Sequence, residues 1–293
     1  MLKQRIITAL VLAPLALFAI LFLPTEGFKW VIAGVICLGA YEWANMSGLK
    51  ARVFKVWFTV FIAVICTVII LLVDAESIWS QSELNPIYAF WLWLAVFWWA
   101  LSLVMIIAYP KFSRFWRDSI LIRALFGVLT LIPTWVAVVS LRTSLYEIDS
   151  NYGASLLFYV LGIVWAADIG AFFVGVKFGK HKLRPNVSPG KTLEGLAGGV
   201  AASLAIIAFA AMHYQFGDAR IYVHILMGVI TVAVSALGDL NESMIKRCAG
   251  IKDSGKILPG HGGVMDRIDS LTAAFPIFAF CYMLWAPYLN GTS

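Results

Sequence analysis

Long apolar runs separated by short polar stretches organise the chain. Nine such runs fall at 6–23, 28–48, 54–73, 88–109, 120–141, 154–176, 195–213, 221–241 and 271–289. A helix needs roughly 20 apolar residues to cross the hydrocarbon core, and only helices or closed barrels satisfy their own backbone there. Barrel strands alternate apolar and polar positions over about 10 residues. These runs are continuous, so each predicts a helix. The first follows Lys3 and Arg5 as a secretion signal would, but no small-residue cleavage site comes after it, and it reads as a retained span. The expectation is an all-α polytopic integral membrane protein of about nine transmembrane helices. It forms a single membrane domain over 1–293, with five helices in 1–153 and four in 154–293.

Composition agrees with the pattern. The 293 residues are 61% hydrophobic and 13% charged, whereas a soluble domain carries about 25% charged residues. So few charges cannot wet the surface of a soluble protein this size. A net charge of +6 would otherwise raise nucleic acid as a partner, but in a membrane chain Lys and Arg first report topology. The N-terminus and the alternate loops near 49–55, 110–119, 177–194 and 242–270 hold 18 of the 22 Lys and Arg. The opposite loops hold Lys29, Arg142 and Arg220, and Arg123 lies inside the fifth run. This alternation predicts an N-in, C-out orientation in the lipid bilayer, with the two long basic loops in the cytoplasm and no nucleic-acid partner. Cys37, Cys66, Cys248 and Cys281 are far apart in sequence, with neither zinc-ligand nor disulfide-framework spacing.

Three acids interrupt the apolar runs: Glu42, Asp168 and Asp239. A charge at the bilayer centre costs on the order of 2.5–3.5 kcal/mol on insertion scales, so such residues face a polar interior. Glu42 reads as a structural acid with an interhelical hydrogen bond or a lysine partner. Asp168 reads equally as structural or functional. Asp239 opens a dense ionic stretch that includes Glu242, Lys246, Arg247, Lys252, Asp253, His261, Gly262, Gly263, Asp266, Arg267 and Asp269. Asp239 and Asp266 are too far apart to share a helix face. They meet only if the intervening loop folds back and sets the end of the eighth span beside the start of the ninth. Asp266 and Asp269 share a face if the ninth helix begins early.

Carboxylates converging from two helices among Lys and Arg suit Mg²⁺, which takes one or two carboxylates and completes its shell with water and phosphate oxygens. The basic side chains then offset phosphate charge, which is most of what phosphoryl transfer requires. Glycines beside His261 let backbone approach a ligand. His261 itself reads as a phosphate or loop contact, because a phosphomonoester, with its second pKa near 6, needs no base. The other basic loop ends in Gly190-Lys191-Thr192, which mimics a nucleotide-binding P-loop. Pro185 stands where that motif needs glycine, so an ATPase is excluded, while Lys191 stays a candidate phosphate ligand.

The run Ser243 to Asp269 resembles the signature of phosphatidate cytidylyltransferases, also called CDP-diacylglycerol synthases. The matching residues are Ser243, Ile245, Lys246 and Arg247, then Lys252, Asp253, Gly255, Leu258 and Pro259, then His261, Gly262, Gly263, Val264, Asp266, Arg267 and Asp269. Asp168 and the stretch Ser188-Pro189-Gly190-Lys191-Thr192 also look like that family. The resemblance implies that CTP and phosphatidic acid give CDP-diacylglycerol and pyrophosphate at the inner membrane of a bacterium. It implies Mg²⁺ at Asp239 and Asp266, with K⁺ as a second cation, and it is compatible with a homodimer. Lys191, Lys246, Arg247, Lys252 and Arg267 would then divide the phosphate contacts. Two readings compete with it: a CTP-dependent kinase of a lipid alcohol, and a secondary transporter using Asp168 and Asp239.

Overall fold

The computed structural model describes residues 2–80, 83–146, 148–213 and 218–289. Among them are nine helices of 21 residues or more: α1 (Leu2–Phe22), α2 (Thr25–Met46), α3 (Arg52–Leu72), α4 (Pro86–Ala108), α6 (Ile120–Thr143), α7 (Tyr152–Phe178), α8 (Leu193–His213), α9 (Asp218–Ala249) and α10 (Met265–Leu289). The one-turn helix α5 (Arg114–Arg117), a 3-10 turn at Ala75–Ser77 and two short hairpins, β1 (Trp79–Ser80) with β2 (Glu83–Leu84) and β3 (Lys182–Arg184) with β4 (Ser188–Thr192), complete the chain order. Seven helices, α3, α4 and α6 to α10, are long and apolar enough to cross a membrane. The apolar part of α1 is shorter, from Ile6 to Phe22, and α2 carries Glu26, Lys29 and Glu42.

α6 and α10 form the centre, with 78% and 61% of their apolar stretches buried, against 28% for α3 and α7 at the periphery. Buried tryptophans tie the centre together through their one polar atom. Trp43 Nε1 donates to Arg123 O at 2.8 Å, Trp135 Nε1 to Lys29 O at 3.0 Å, and Trp98 Nε1 to Thr130 Oγ1 at 3.0 Å. The Thr134 hydroxyl joins α6 to α10 by donating to Thr272 O at 3.1 Å.

Three buried cations have structural work that the charge count could not reveal. The last carbonyls of a helix have no partner inside it, and the negative end of its dipole favours a cation. Arg142 Nε donates to Ile20 O near the end of α1 at 2.7 Å, and Arg123 Nε to Ser47 O just after α2 at 3.0 Å. Lys29 Nζ donates to Val73 O just after α3 at 3.1 Å, with Glu26 Oε1 at 2.8 Å on its other side. Lys29 and Arg142, two of the exceptions to the loop alternation, are therefore fully enclosed helix-end caps.

Glycines decide how closely the C-terminal helices approach. A Cβ on Gly170 would lie 2.5 Å from Gly198 O, and one on Gly199 would lie 2.7 Å from Ala167 O, so α7 and α8 are in backbone contact. Gly238 does the same between α9 and α10, where a Cβ would meet Asp269 O at 2.5 Å. The last two helices also depart from the expected boundaries. The 242–270 loop is only 250–264, because α9 runs on to Ala249 and α10 begins at Met265. The added length of α9 is charged, with Glu242 and Lys246 paired one turn apart at 3.1 Å.

Candidate active site

The ends of α7, α8, α9 and α10, with the β3–β4 hairpin, enclose a cavity of about 580 Å³. Its two sides differ. α7 and α8 contribute small and apolar residues, among them Phe172, Val176, Leu196 and Val200. α9 contributes Asp239, and α10 contributes Asp266 and Asp269. Asp168 of α7 adds a fourth carboxylate, and Lys191 of β4 is the one basic residue among the lining residues.

Asp266 stands in the first turn of α10, where free amides and the helix dipole favour a carboxylate. The preceding loop folds back over it. Ser254 N donates to its two oxygens at 3.0 and 3.1 Å, and Gly263 N to Oδ2 at 2.9 Å. Gly262 makes that turn with φ +84°, in the region that glycine tolerates, and a Cβ there would sit 2.9 Å from Asp266 Oδ2. From α9, Lys246 Nζ donates to Asp266 Oδ1 at 2.9 Å. The loop thus brings the end of α9 beside the start of α10, as the sequence requires for Asp239 and Asp266 to meet.

The hairpin carries Lys191. Its strands are antiparallel, with Lys182 opposite Thr192 and Arg184 opposite Ser188. Glu194 closes its base by accepting from the amides of Lys180 and His181, both at 3.1 Å, with His181 Nδ1 at 2.6 Å. Thr192 Oγ1 accepts from Gly195 N at 3.0 Å at the start of α8. Arg247 Nε reaches from α9 to Val187 O at 3.4 Å. So held, Lys191 Nζ lies 2.5 Å from Asp239 Oδ2, and the Ser243 hydroxyl donates to Asp239 Oδ1 at 3.3 Å.

The match to a family model described as cytidylyltransferase covers residues 3–285. The chain belongs to the cytidylyltransferase family. A phosphatidate cytidylyltransferase of Haemophilus influenzae is 42% identical, over 96% of this chain and 99% of the relative. One of Pseudomonas aeruginosa is also 42% identical, over 98% of each chain. One of Bacillus subtilis is 41% identical over a shorter region, 46% of this chain and 50% of the relative.

Within this cytidylyltransferase, the residues singled out in the sequence fall into two groups. Asp168, Lys191, Asp239, Asp266 and Asp269 line the cavity. Lys246, Gly262 and Gly263 stand behind it and hold Asp266. Ser188 sits in β4 outside the lining, and Arg247, Lys252 and Arg267 are exposed and also outside it. Arg267 donates from Nε and Nη2 to His261 O at 2.9 and 2.7 Å, so His261 contributes its backbone to the loop. Among the described residues no three His, Cys, Asp or Glu group as a complete metal cage. The sequence assigned no role to Thr192, present there only within the 188–192 stretch, or to Glu194; both close the base of the hairpin. Glu42, expected to be structural, accepts hydrogen bonds at the start of α10 and from the loop.

Proposed function

We propose that this chain transfers the cytidylyl group of CTP to phosphatidic acid, giving CDP-diacylglycerol and pyrophosphate at the cytoplasmic face of a bacterial inner membrane. The observation that carries the reading is the lining of the cavity: four carboxylates and one lysine beside an apolar wall. Both substrates are anionic, and four carboxylates would repel them unless cations intervened. That donor set fits Mg²⁺, which needs only one or two carboxylates when phosphate oxygens supply the rest. Asp239 and Asp266 would hold it, with K⁺ beside it as a second cation. When bound, Mg²⁺ offsets charge on the reacting phosphate and on the departing pyrophosphate.

The chain's own groups then act as follows. Lys191 exchanges its contact with Asp239 for a phosphate oxygen. Lys246, fixed between Glu242 and Asp266, keeps the Asp266 carboxylate turned to the cavity. Phe172, Val176, Leu196 and Val200 offer an apolar surface to acyl chains. An oxygen of the lipid phosphate attacks the α-phosphorus of CTP in line. The new P–O bond forms as the bond from the α-phosphorus to the bridging oxygen breaks, and pyrophosphate leaves with the electron pair. The lipid phosphate is largely dianionic at neutral pH, its second pKa being near 6, so no side chain need take a proton.

The test is product formation by the purified chain in vesicles containing phosphatidic acid. CDP-lipid should accumulate only with CTP and Mg²⁺ present, stop on chelation, and resume when Mg²⁺ is restored. No CDP-lipid under those conditions would sink the reading.

A further inference from the structure

Glu42 lies on α2, in the N-terminal part of the chain that contributes nothing to the cavity lining, yet it is the hub of the loop that cradles Asp266. The residue is 2% exposed. Oε2 accepts from the Ser254 hydroxyl at 3.1 Å and from Met265 N, the first amide of α10, at 2.9 Å. Asn45, one turn further along α2, donates from Nδ2 to Ser254 O at 3.3 Å. The loop backbone is pressed onto the same carboxylate. A Cβ on Gly263 would lie 2.5 Å from Glu42 Oε2, and one on Gly255 would overlap Oε1. Ser254 is the bridge: its hydroxyl donates to Glu42, and its amide donates to Asp266. Gly263 is a second bridge, packed against Glu42 and donating its amide to Asp266.

We propose that Glu42 is a positioning residue for the reaction: it fixes the 250–264 loop between α2 and α10 so that the loop amides hold the Asp266 carboxylate toward the cavity. Glu42 does not line the cavity, so it acts through Ser254, Gly263 and Met265 and touches no substrate. The N-terminal helices thereby acquire a defined share in the active site. This inference rests on the function proposed above only for the role of Asp266.

The test compares Glu42→Ala, Glu42→Gln and Ser254→Ala in the full-length protein, with two readouts. The first is the rate of trypsin cleavage after the exposed Lys252 and Lys256, which reports release of the loop without reference to activity. The second is steady-state kinetics. Glu42→Ala should be cut faster and should lose about 10–100-fold in kcat, the range seen when outer partners of a ligating group are removed, with KM for CTP unchanged. Glu42→Gln keeps the accepting oxygen and should recover both properties. The pair Glu42→Ala with Ser254→Ala should be no worse than Glu42→Ala alone, since both cut one chain of contacts. Wild-type cleavage or wild-type kcat in Glu42→Ala, or a loss that Glu42→Gln does not recover, would overturn the proposal. If Glu42→Ala does not accumulate in the membrane, Ser254→Ala carries the same comparison. Absence of CDP-lipid from the wild-type chain would remove the proposed reaction, whereas the cleavage rates would still decide how the loop is held.

Discussion

Asp239 and Asp266 are held differently, and their substitutions should differ accordingly. Asp239 is about one-third exposed and faces Lys191, whereas Asp266 is 12% exposed and takes Lys246 and two backbone amides. Asn at either position should lower turnover by at least about 10²–10³-fold, the scale on which lost electrostatic stabilisation acts. Asp266→Asn should also lower the Tm in detergent, because Lys246, itself 12% exposed, loses a charged partner. Asp239→Asn should leave Tm unchanged. Wild-type turnover in either variant would remove that residue from the site. His261→Ala should lose far less; a loss of about 10²-fold or more, the mark of a missing general base, would contradict the base-free reaction. At this scale the sequence exposed the acids because a charge in an apolar run is costly. It could not expose Glu42's role, since its partner Ser254 lies 212 residues away.

Helix positions were legible for a similarly simple reason: lipid leaves an unpaired backbone nowhere to go. Helix ends were less so. α9 continues for about two turns past Asn241, where the Glu242–Lys246 pair and the buried Met244 and Ile245 sustain it. The β3–β4 hairpin carries no alternating pattern, because Ser188-Pro189-Gly190-Lys191-Thr192 gains its shape from Glu194 and Arg247. Arg142 shows what charge counting misses. Arg142→Met should lower Tm, because it strips the buried Ile20 O of its donor at a cost of about 1–3 kcal/mol. Activity per folded molecule should stay the same, and an unchanged melting curve would refute the capping role. Gly238→Val should separate α9 from α10 and lower both Tm and turnover, while Gly34→Ala, with open space around it, should change neither.

For the molecule as a whole, the low charge content conceals a concentration of acids at one end of one helix cluster. That arrangement sets the acids of α9 and α10 opposite an apolar wall supplied by α7 and α8. The alternation of Lys and Arg predicts that the hairpin and the 250–264 loop face the cytoplasm. In a variant with the four cysteines replaced, Asn186→Cys should react with an impermeant thiol reagent only from the cytoplasmic side, and Glu76→Cys only from the opposite side; the reverse pattern would invert the orientation. Transfer of the cytidylyl group can be followed through the fate of labelled CTP with phosphatidic acid. Label in the α-phosphate should appear in the lipid product, and label in the γ-phosphate should leave entirely as pyrophosphate. Label from the γ-position in lipid, with none from the α-position, would make the protein a kinase and contradict the account.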